Sequence, residues 1–272
     1  KAGISFTSPE GAEKNLKAEI QDWDFSQVYD NSRILWDKAL DKISVEGKNE
    51  EQKTIFYTSL YHTMIDPRIF SDVNGEYPGA DGKVYISDSF TKRTIFSGWD
   101  VFRSQMPLQT IINPQLIDDL LNSLIVLAEQ SGKEYYERWE LLNAYSGCML
   151  GNPAISVLAD AYAKGIRKYD IEKAYQYAVN SSEKFGNGEL GYTPDPIGIS
   201  KTLEYGYTEW CLSELARQLR KKEDQEKYRK RSQAYRNIYD PEKKSFRPRQ
   251  EDGSFVAWPK EGYLQEWYGC ME

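Results

Sequence analysis

Trp99, Asp100 and Arg103 fall close together in Phe96-Ser97-Gly98-Trp99-Asp100-Val101-Phe102-Arg103, behind a glycine that lets the backbone turn sharply. A sugar offers C–H faces that pack on an indole and hydroxyls that pair with carboxylates and guanidinium groups. The trio therefore fits carbohydrate. It also fits a plain helix start, with Asp100 paired to Arg103 at i,i+3 and Trp99 and Phe102 packed inward. Both readings stand on these residues alone.

Other acids sit beside aromatics in the same way. Glu204 lies in Ser200-Lys201-Thr202-Leu203-Glu204-Tyr205-Gly206-Tyr207, four residues after Ser200 and so outside a capping box. It reads as a cleft carboxylate or as a first-turn acid favoured by the helix dipole. Trp139-Glu140-Leu141-Leu142 precedes Gly147-Cys148-Met149-Leu150-Gly151, where small residues permit close backbone approach. Glu272 closes Trp267-Tyr268-Gly269-Cys270-Met271-Glu272.

Histidine and cysteine chemistry is scarce. The one histidine, His62, sits on the helical pattern Phe56-Tyr57-Thr58-Ser59-Leu60-Tyr61-His62-Thr63-Met64 and reads as structural. That sets aside most Ser-His-Asp, Cys-His and multi-histidine metal mechanisms, so any catalysis falls to carboxylates. Cys148, Cys211 and Cys270 are far apart and lack zinc-site spacing. Asp72-Val73-Asn74-Gly75-Glu76 lacks the twelfth-position Glu of an EF-hand and reads as an Asx turn.

The elements that must position these residues are mainly helices. Ser8-Pro9-Glu10 opens the first, and Leu35, Ala39 and Ile43 mark the next, followed by Phe56, Leu60 and Met64. Asn113-Pro114 and Asn152-Pro153 each read as an N-cap followed by Pro at N1. Behind the first, Leu116, Ile117, Leu120, Leu121, Leu124 and Ile125 form one stripe; behind the second come Ile155, Leu158, Ala159 and Tyr162, with Gly165 as the stop. Asp170 caps a helix carrying Ile171, Ala174, Tyr175, Ala178 and Val179. A longer one, from about Thr202 to Leu219, turns Leu203, Tyr207, Cys211, Leu215 and Leu219 inward. The long segments 66–95 and 186–200 read as ordered functional loops.

Eight or nine helices separated by such loops predict an all-α fold, an array of helix pairs closed towards an (α/α)6 toroid. Six pairs need twelve helices, so the toroid is expected to be incomplete within 272 residues. The net charge of −7, from 42 acidic and 35 basic residues, shows no basic block, and nucleic acid is not expected as a partner. No apolar run approaches the roughly 18 residues of a bilayer span. The opening Lys1-Ala2-Gly3-Ile4 has no signal-peptide core behind it, so a targeting segment is expected to have been removed or to lie outside. With 20 Tyr and 7 Trp the chain suits wet, aromatic clefts, and Tyr-rich cores equally.

Phe56 to His62, Ser71 to Gly75, Asp81-Gly82-Lys83-Val84, Phe96 to Arg103, Cys148-Met149-Leu150-Gly151 and Ala159-Asp160-Ala161-Tyr162-Ala163-Lys164-Gly165-Ile166 come in a familiar order. So do Ser200 to Tyr205, Arg231-Ser232-Gln233-Ala234-Tyr235, Asp240-Pro241-Glu242 and Phe246-Arg247-Pro248-Arg249. Together, over nearly the whole chain, they resemble the calcium-dependent exo-α-mannosidases of glycoside hydrolase family 92.

The resemblance implies that residues 1–272 form about the first two-thirds of an (α/α)6 catalytic domain, with a β-sandwich upstream and a remainder downstream. It implies an exo-acting α-mannosidase that inverts configuration on a mannose-containing glycan, periplasmic or secreted. Glu272 falls on the family's general acid, and Trp99, Asp100 and Arg103, with Glu204, become candidate substrate contacts. The implied Ca²⁺ has its ligands and the catalytic base beyond Glu272, so no metal ligand is expected in this chain, and the piece alone is expected to be inactive. Where family members read Asn-Glu-Thr before the Cys-Met pair, this chain has Ala144-Tyr145-Ser146, which leaves the linkage preference open. The alternatives are a non-catalytic glycan-binding helical protein, a helical scaffold for a protein partner, and an (α/α)6 glycosidase acting on another sugar or a mannosyl phosphodiester. Oligomeric state is not legible.

Overall fold

The computed structural model describes residues 1–195 and 198–258. It is mostly helical. The helices run α1 (Pro9–Glu19), α2 (Phe25–Leu40), α3 (Glu50–His62), α4 (Gly98–Val101), α5 (Gln105–Ile112), α6 (Pro114–Gln130), α7 (Pro153–Ala163), α8 (Ile171–Phe185), α9 (Gly198–Gln218) and α10 (Lys222–Arg231). That exceeds the expected number because the single turn of α4 is too short to show a periodicity.

The core lies among α6 to α9. All six stripe residues of α6 are buried, and Leu120, Leu121, Ile155, Leu158, Leu212 and Leu215 are shielded almost completely. α7 buries eight of its eleven residues, as a helix does when it has neighbours on more than one side. α9 packs between α7 and α10, and the charge-rich α10 is anchored by one ring, the fully buried Tyr228.

Caps follow the local backbone. Ser8 Oγ accepts from Gly11 N at 2.9 Å and Asp170 Oδ1 from Lys173 N at 3.0 Å, as expected. Asn113 and Asn152 do precede Pro at N1, but neither side chain caps. Their ψ angles of 60° and 66° depart from the extended backbone of a side-chain cap, and their main-chain carbonyls take the first turn instead, from Leu116 N and Ile155 N. His62 is exposed at the end of α3 against the Tyr61 ring, not held in a core. Helix α9 starts at Gly198, ahead of the expected Thr202.

Among the described residues, four small antiparallel sheets correct the purely helical expectation. β1 (Arg68–Ile69) pairs with β4 (Arg93–Thr94), β2 (Glu76–Pro78) with β3 (Val84–Ile86), and β8 (Tyr239–Asp240) with β9 (Ser245–Phe246). The remaining sheet has the order β5 (Phe96–Ser97), β6 (Trp139–Leu141), β7 (Ala144–Tyr145). Strands of two or three residues are too short for alternation to show in sequence. In the loop at Asp72, Asn74 Oδ1 accepts from Glu76 N in the expected Asx turn, at 3.3 Å. Asp72 itself reaches elsewhere, to Ser5, Thr7 and Asn15, and ties the N-terminal segment down.

Candidate functional site

The β5–β6–β7 sheet launches α4. Ser97 pairs with Trp139, and the chain turns at Gly98 straight into the helical turn that carries Trp99. A Cβ at Gly98 would stand 2.4 Å from Pro153 Cγ and 2.6 Å from Arg138 O, so only glycine lets α4 sit against the start of α7.

From there Trp99 and Arg103 reach α9. Trp99 Nε1 donates to Glu204 Oε1 at 3.3 Å, and Arg103 Nη2 donates to the same oxygen at 2.5 Å. Arg103 Nη1 also bonds Trp99 O at 2.7 Å, and its guanidinium lies over the rings of Trp99 and Phe102, at 4.6 and 4.3 Å. Opposite charge, a shared oxygen and two aromatic faces thus hold one planar cation in a defined orientation. Glu204 is half-buried and Arg103 exposed, so the corner stays open to solvent.

Asp100 does not join it. Its carboxylate is exposed and accepts from Ser97 Oγ, while Arg103 turns to Glu204, so the i,i+3 pair allowed by the spacing is replaced by a long-range one. Phe102 is buried, as the plain helix reading had it. Glu272 lies outside the described residues, as do Trp267, Tyr268 and Cys270.

The loop after β7 closes the other side. Gly151, at φ +75°, runs so near Glu204 that a Cβ would meet the Glu204 Cβ at 3.3 Å. Tyr145 Oη accepts from Arg138 Nε at 2.8 Å, and Arg138 Nη2 donates to Gly147 O. One arginine thus fixes both the ring of Tyr145 and the bend that follows it.

Beyond the corner a cavity of about 680 Å³ opens between α7 and α9, its wall including Phe102, Arg103, Asp160, Glu204, Tyr207 and Trp210. Tyr207 stands between Phe102 and Trp210, with ring centres 5.7 and 6.3 Å away. It was expected inward, yet it is 44% exposed: its hydroxyl lies 3.4 Å from Ser156 Oγ on α7 while its ring lines the cavity. Trp210, three residues on, was not anticipated; its helical spacing from Leu203 and Tyr207 was the available signal. Arg138 was missed because its partners are brought together only by the hairpin.

Among the described residues no three acidic, histidine or cysteine side chains gather in a way that could hold a metal ion. Glu204, the carboxylate at the corner, is already engaged by Arg103 and Trp99. These residues by themselves do not make a calcium site.

Aromatic walls, a stacked arginine and a carboxylate around an open cleft on a helical array are groups that carbohydrate sites use. The chain belongs to glycosyl hydrolase family 92, whose catalytic-domain family model matches residues 11–269. An α-mannosidase of that family from Bacteroides thetaiotaomicron, also solved with mannoimidazole, superimposes with a TM-score of 0.88, or 0.89 for the complex. It shares 31% identity over 93% of this chain and 35% of its own in the first structure, 34% in the complex. A family 92 inverting mannosidase from the same species gives 0.85, also at 31% identity, over 93% of this chain and 36% of its own. A protein of Arthroderma benhamiae described as an uncharacterized secreted glycosidase is 28% identical over all of this chain and 34% of itself. The chain thus spans about a third of the length of these relatives.

Proposed function

We propose that the protein carrying this sequence is an exo-acting α-mannosidase, secreted or periplasmic, that hydrolyses terminal α-mannosides with inversion. The meeting of Trp99, Arg103 and Glu204 across more than a hundred residues carries this reading. A corner with an indole face, a fixed guanidinium and an open edge can seat one terminal sugar, which is what exo action requires. The family relatives named mannosidases, one inverting and one bound to mannoimidazole, support mannose and inversion.

In this reading residues 1–272 are the first two-thirds of an (α/α)6 catalytic domain, following a β-sandwich. Helices α5, α7 and α9 supply part of the inner wall of the toroid and α6, α8 and α10 part of its outer layer. Inversion needs a carboxylic acid that protonates the leaving oxygen and a carboxylate base that activates water, about 6.5–9.5 Å apart. We assign the acid to Glu272 and place the base downstream. Trp99 packs on the C–H face of the sugar, Arg103 takes its hydroxyls, and Glu204 holds Arg103 and Trp99 in register. Calcium, implied by the family resemblance, would polarise sugar hydroxyls when bound; the described residues offer it no donor set.

The full-length protein tests this by NMR, which reads the anomer first released from an α-mannoside. β-Mannose is expected, and no release from any α-mannoside would overturn the proposal. Glu272→Gln should lower kcat about 10²–10⁴-fold on a sugar leaving group and far less on an activated aryl mannoside. Equal losses on both substrates would leave Glu272 a structural or orienting residue.

A further inference from the structure

Behind the Trp99 corner lies a buried carboxylate with no part in the scheme above. Glu140, on β6, is 2% exposed and accepts three hydrogen bonds. They come from Thr94 Oγ1 at 2.8 Å, Ile95 N at 2.9 Å and Asn143 N at 2.7 Å. Thr94 Oγ1 in turn accepts from Leu142 N at 2.7 Å.

The three backbone positions tied into this knot all have positive φ: Ile95 at 70°, Leu142 at 52° and Asn143 at 65°. Asparagine tolerates that region, but for a β-branched residue such as Ile95 it is strained. Seven non-glycine residues among those described have positive φ, and three of them hang on this carboxylate or on the threonine bonded to it. Strain persists only where surrounding bonds overdetermine it, and here they do.

A buried cation interacts with this carboxylate through space. Lys92 is 1% exposed, and its ammonium has only long contacts, 3.4 Å each, to the carbonyls of Arg93 and Ser123. Burial pushes Lys92 down to about 8, against the pull of Glu140. The strained turn at Ile95 leads directly into Phe96, which pairs with Glu140 on β6, and then into Gly98 and Trp99.

We propose that Glu140 is a positioning residue: it holds Ile95 and the Leu142–Asn143 turn in left-handed backbone and so aims the 96–103 segment at Glu204. Its effect on substrate rests on the reading of that corner as a sugar site; its effect on the backbone does not. In Glu140→Gln an amide NH₂ replaces one acceptor oxygen and faces N–H and O–H donors, while the side-chain volume stays the same.

The test uses the full-length protein, with hydrogen exchange followed by mass spectrometry beside kinetics. In Glu140→Gln, exchange in 93–103 and 140–145 should speed up about tenfold or more while α6, α7 and α8 stay protected. KM for an α-mannoside should rise about tenfold, with kcat changed less. Adding Ile95→Gly, which adopts φ +70° without a Cβ penalty, should restore most of the protection and of KM. Should Glu140→Gln fail to fold, Thr94→Val, which removes one bond to Glu140 and the acceptor for Leu142, should give the same local pattern in smaller measure.

Unchanged protection in 93–103 overturns the proposal. So does loosening spread evenly through the core without rescue by Ile95→Gly, because that is the signature of ordinary core damage. If the wild-type protein releases no mannose, the function proposed above fails while the exchange results still decide the role of Glu140.

Discussion

Helices α2 and α6 have 16 and 17 residues and carry apolar side chains at helical spacing, yet α6 buries eleven residues and α2 none. Leu120, Leu121 and Leu124 of α6 meet α5 and α8, whereas Tyr29, Ile34 and Leu35 of α2 stand more than half exposed. α2 packs on α3, through Trp36 against Tyr61 with ring centres 4.5 Å apart. Periodicity states which face of a helix needs cover; the rest of the molecule decides whether it gets it.

The largest effect should separate these two regions. Leu158→Ala removes a fully buried side chain of α7 and is expected to cost about 2–5 kcal/mol in urea unfolding. Leu35→Ala on α2 should cost about 0.5 kcal/mol or less in the same measurement. Similar losses would mean that α2 is covered in solution by something as well packed as the core.

A smaller effect distinguishes Glu204 from Glu209 on α9. Glu204 is open and paired, while Glu209, five residues on, is fully buried against α8 and α10. Ser182 Oγ donates to it at 3.4 Å, Asn187 N–H bonds it, and Arg231 stands 3.9 Å away, already shared with Glu183. Burial pushes Glu209 up to about 7, which Arg231 and Ser182 only partly offset.

A raised folded-state pKa means that the native protein binds the proton more tightly than the unfolded chain. Stability from Glu209 is therefore fully present below about 4.5 and is lost as pH rises to about 7. The shift corresponds to about 3 kcal/mol at most. Glu209→Gln should remove that fall between pH 5 and 8 when urea midpoints are compared. If both proteins lose stability in parallel, another group is responsible.

The smallest expected effect lies in the caps. Asp170 caps α8 within the core array and Asp24 caps α2, accepting from Gln27 N at 3.1 Å. Asp170→Ala should cost about 1 kcal/mol of global stability. Asp24→Ala should leave the urea midpoint unchanged and only fray α2, seen as a loss of helical circular dichroism. A fall in the midpoint equal to that of Asp170→Ala would join α2 to the cooperative core.

Much of this was written locally. The stripes on α6 to α8, the caps at Ser8 and Asp170 and the stop at Gly165 are short-range matters of periodicity and turn chemistry, and they read correctly. So did Gly98 as a sharp turn of the backbone. The absence of side-chain caps at Asn113 and Asn152 was not legible, because it depends on ψ angles set by packing. Arg103 could have paired with Asp100 three residues away; only the fold brought Glu204 within reach and left Asp100 to Ser97. Tyr207 looked like core because spacing cannot tell a face that is fully covered from one that also lines a cavity. Glu140 read only as an acid beside an aromatic, since the strain it holds arises where two backbone segments, 94–95 and 140–143, meet. Sequence by itself determined the helices, the scarcity of histidine and cysteine chemistry and the family, because these follow from neighbouring residues and their order. Tertiary structure decided which charges pair, which apolar faces are covered and which backbone is strained, because each depends on groups that become neighbours only when the chain folds.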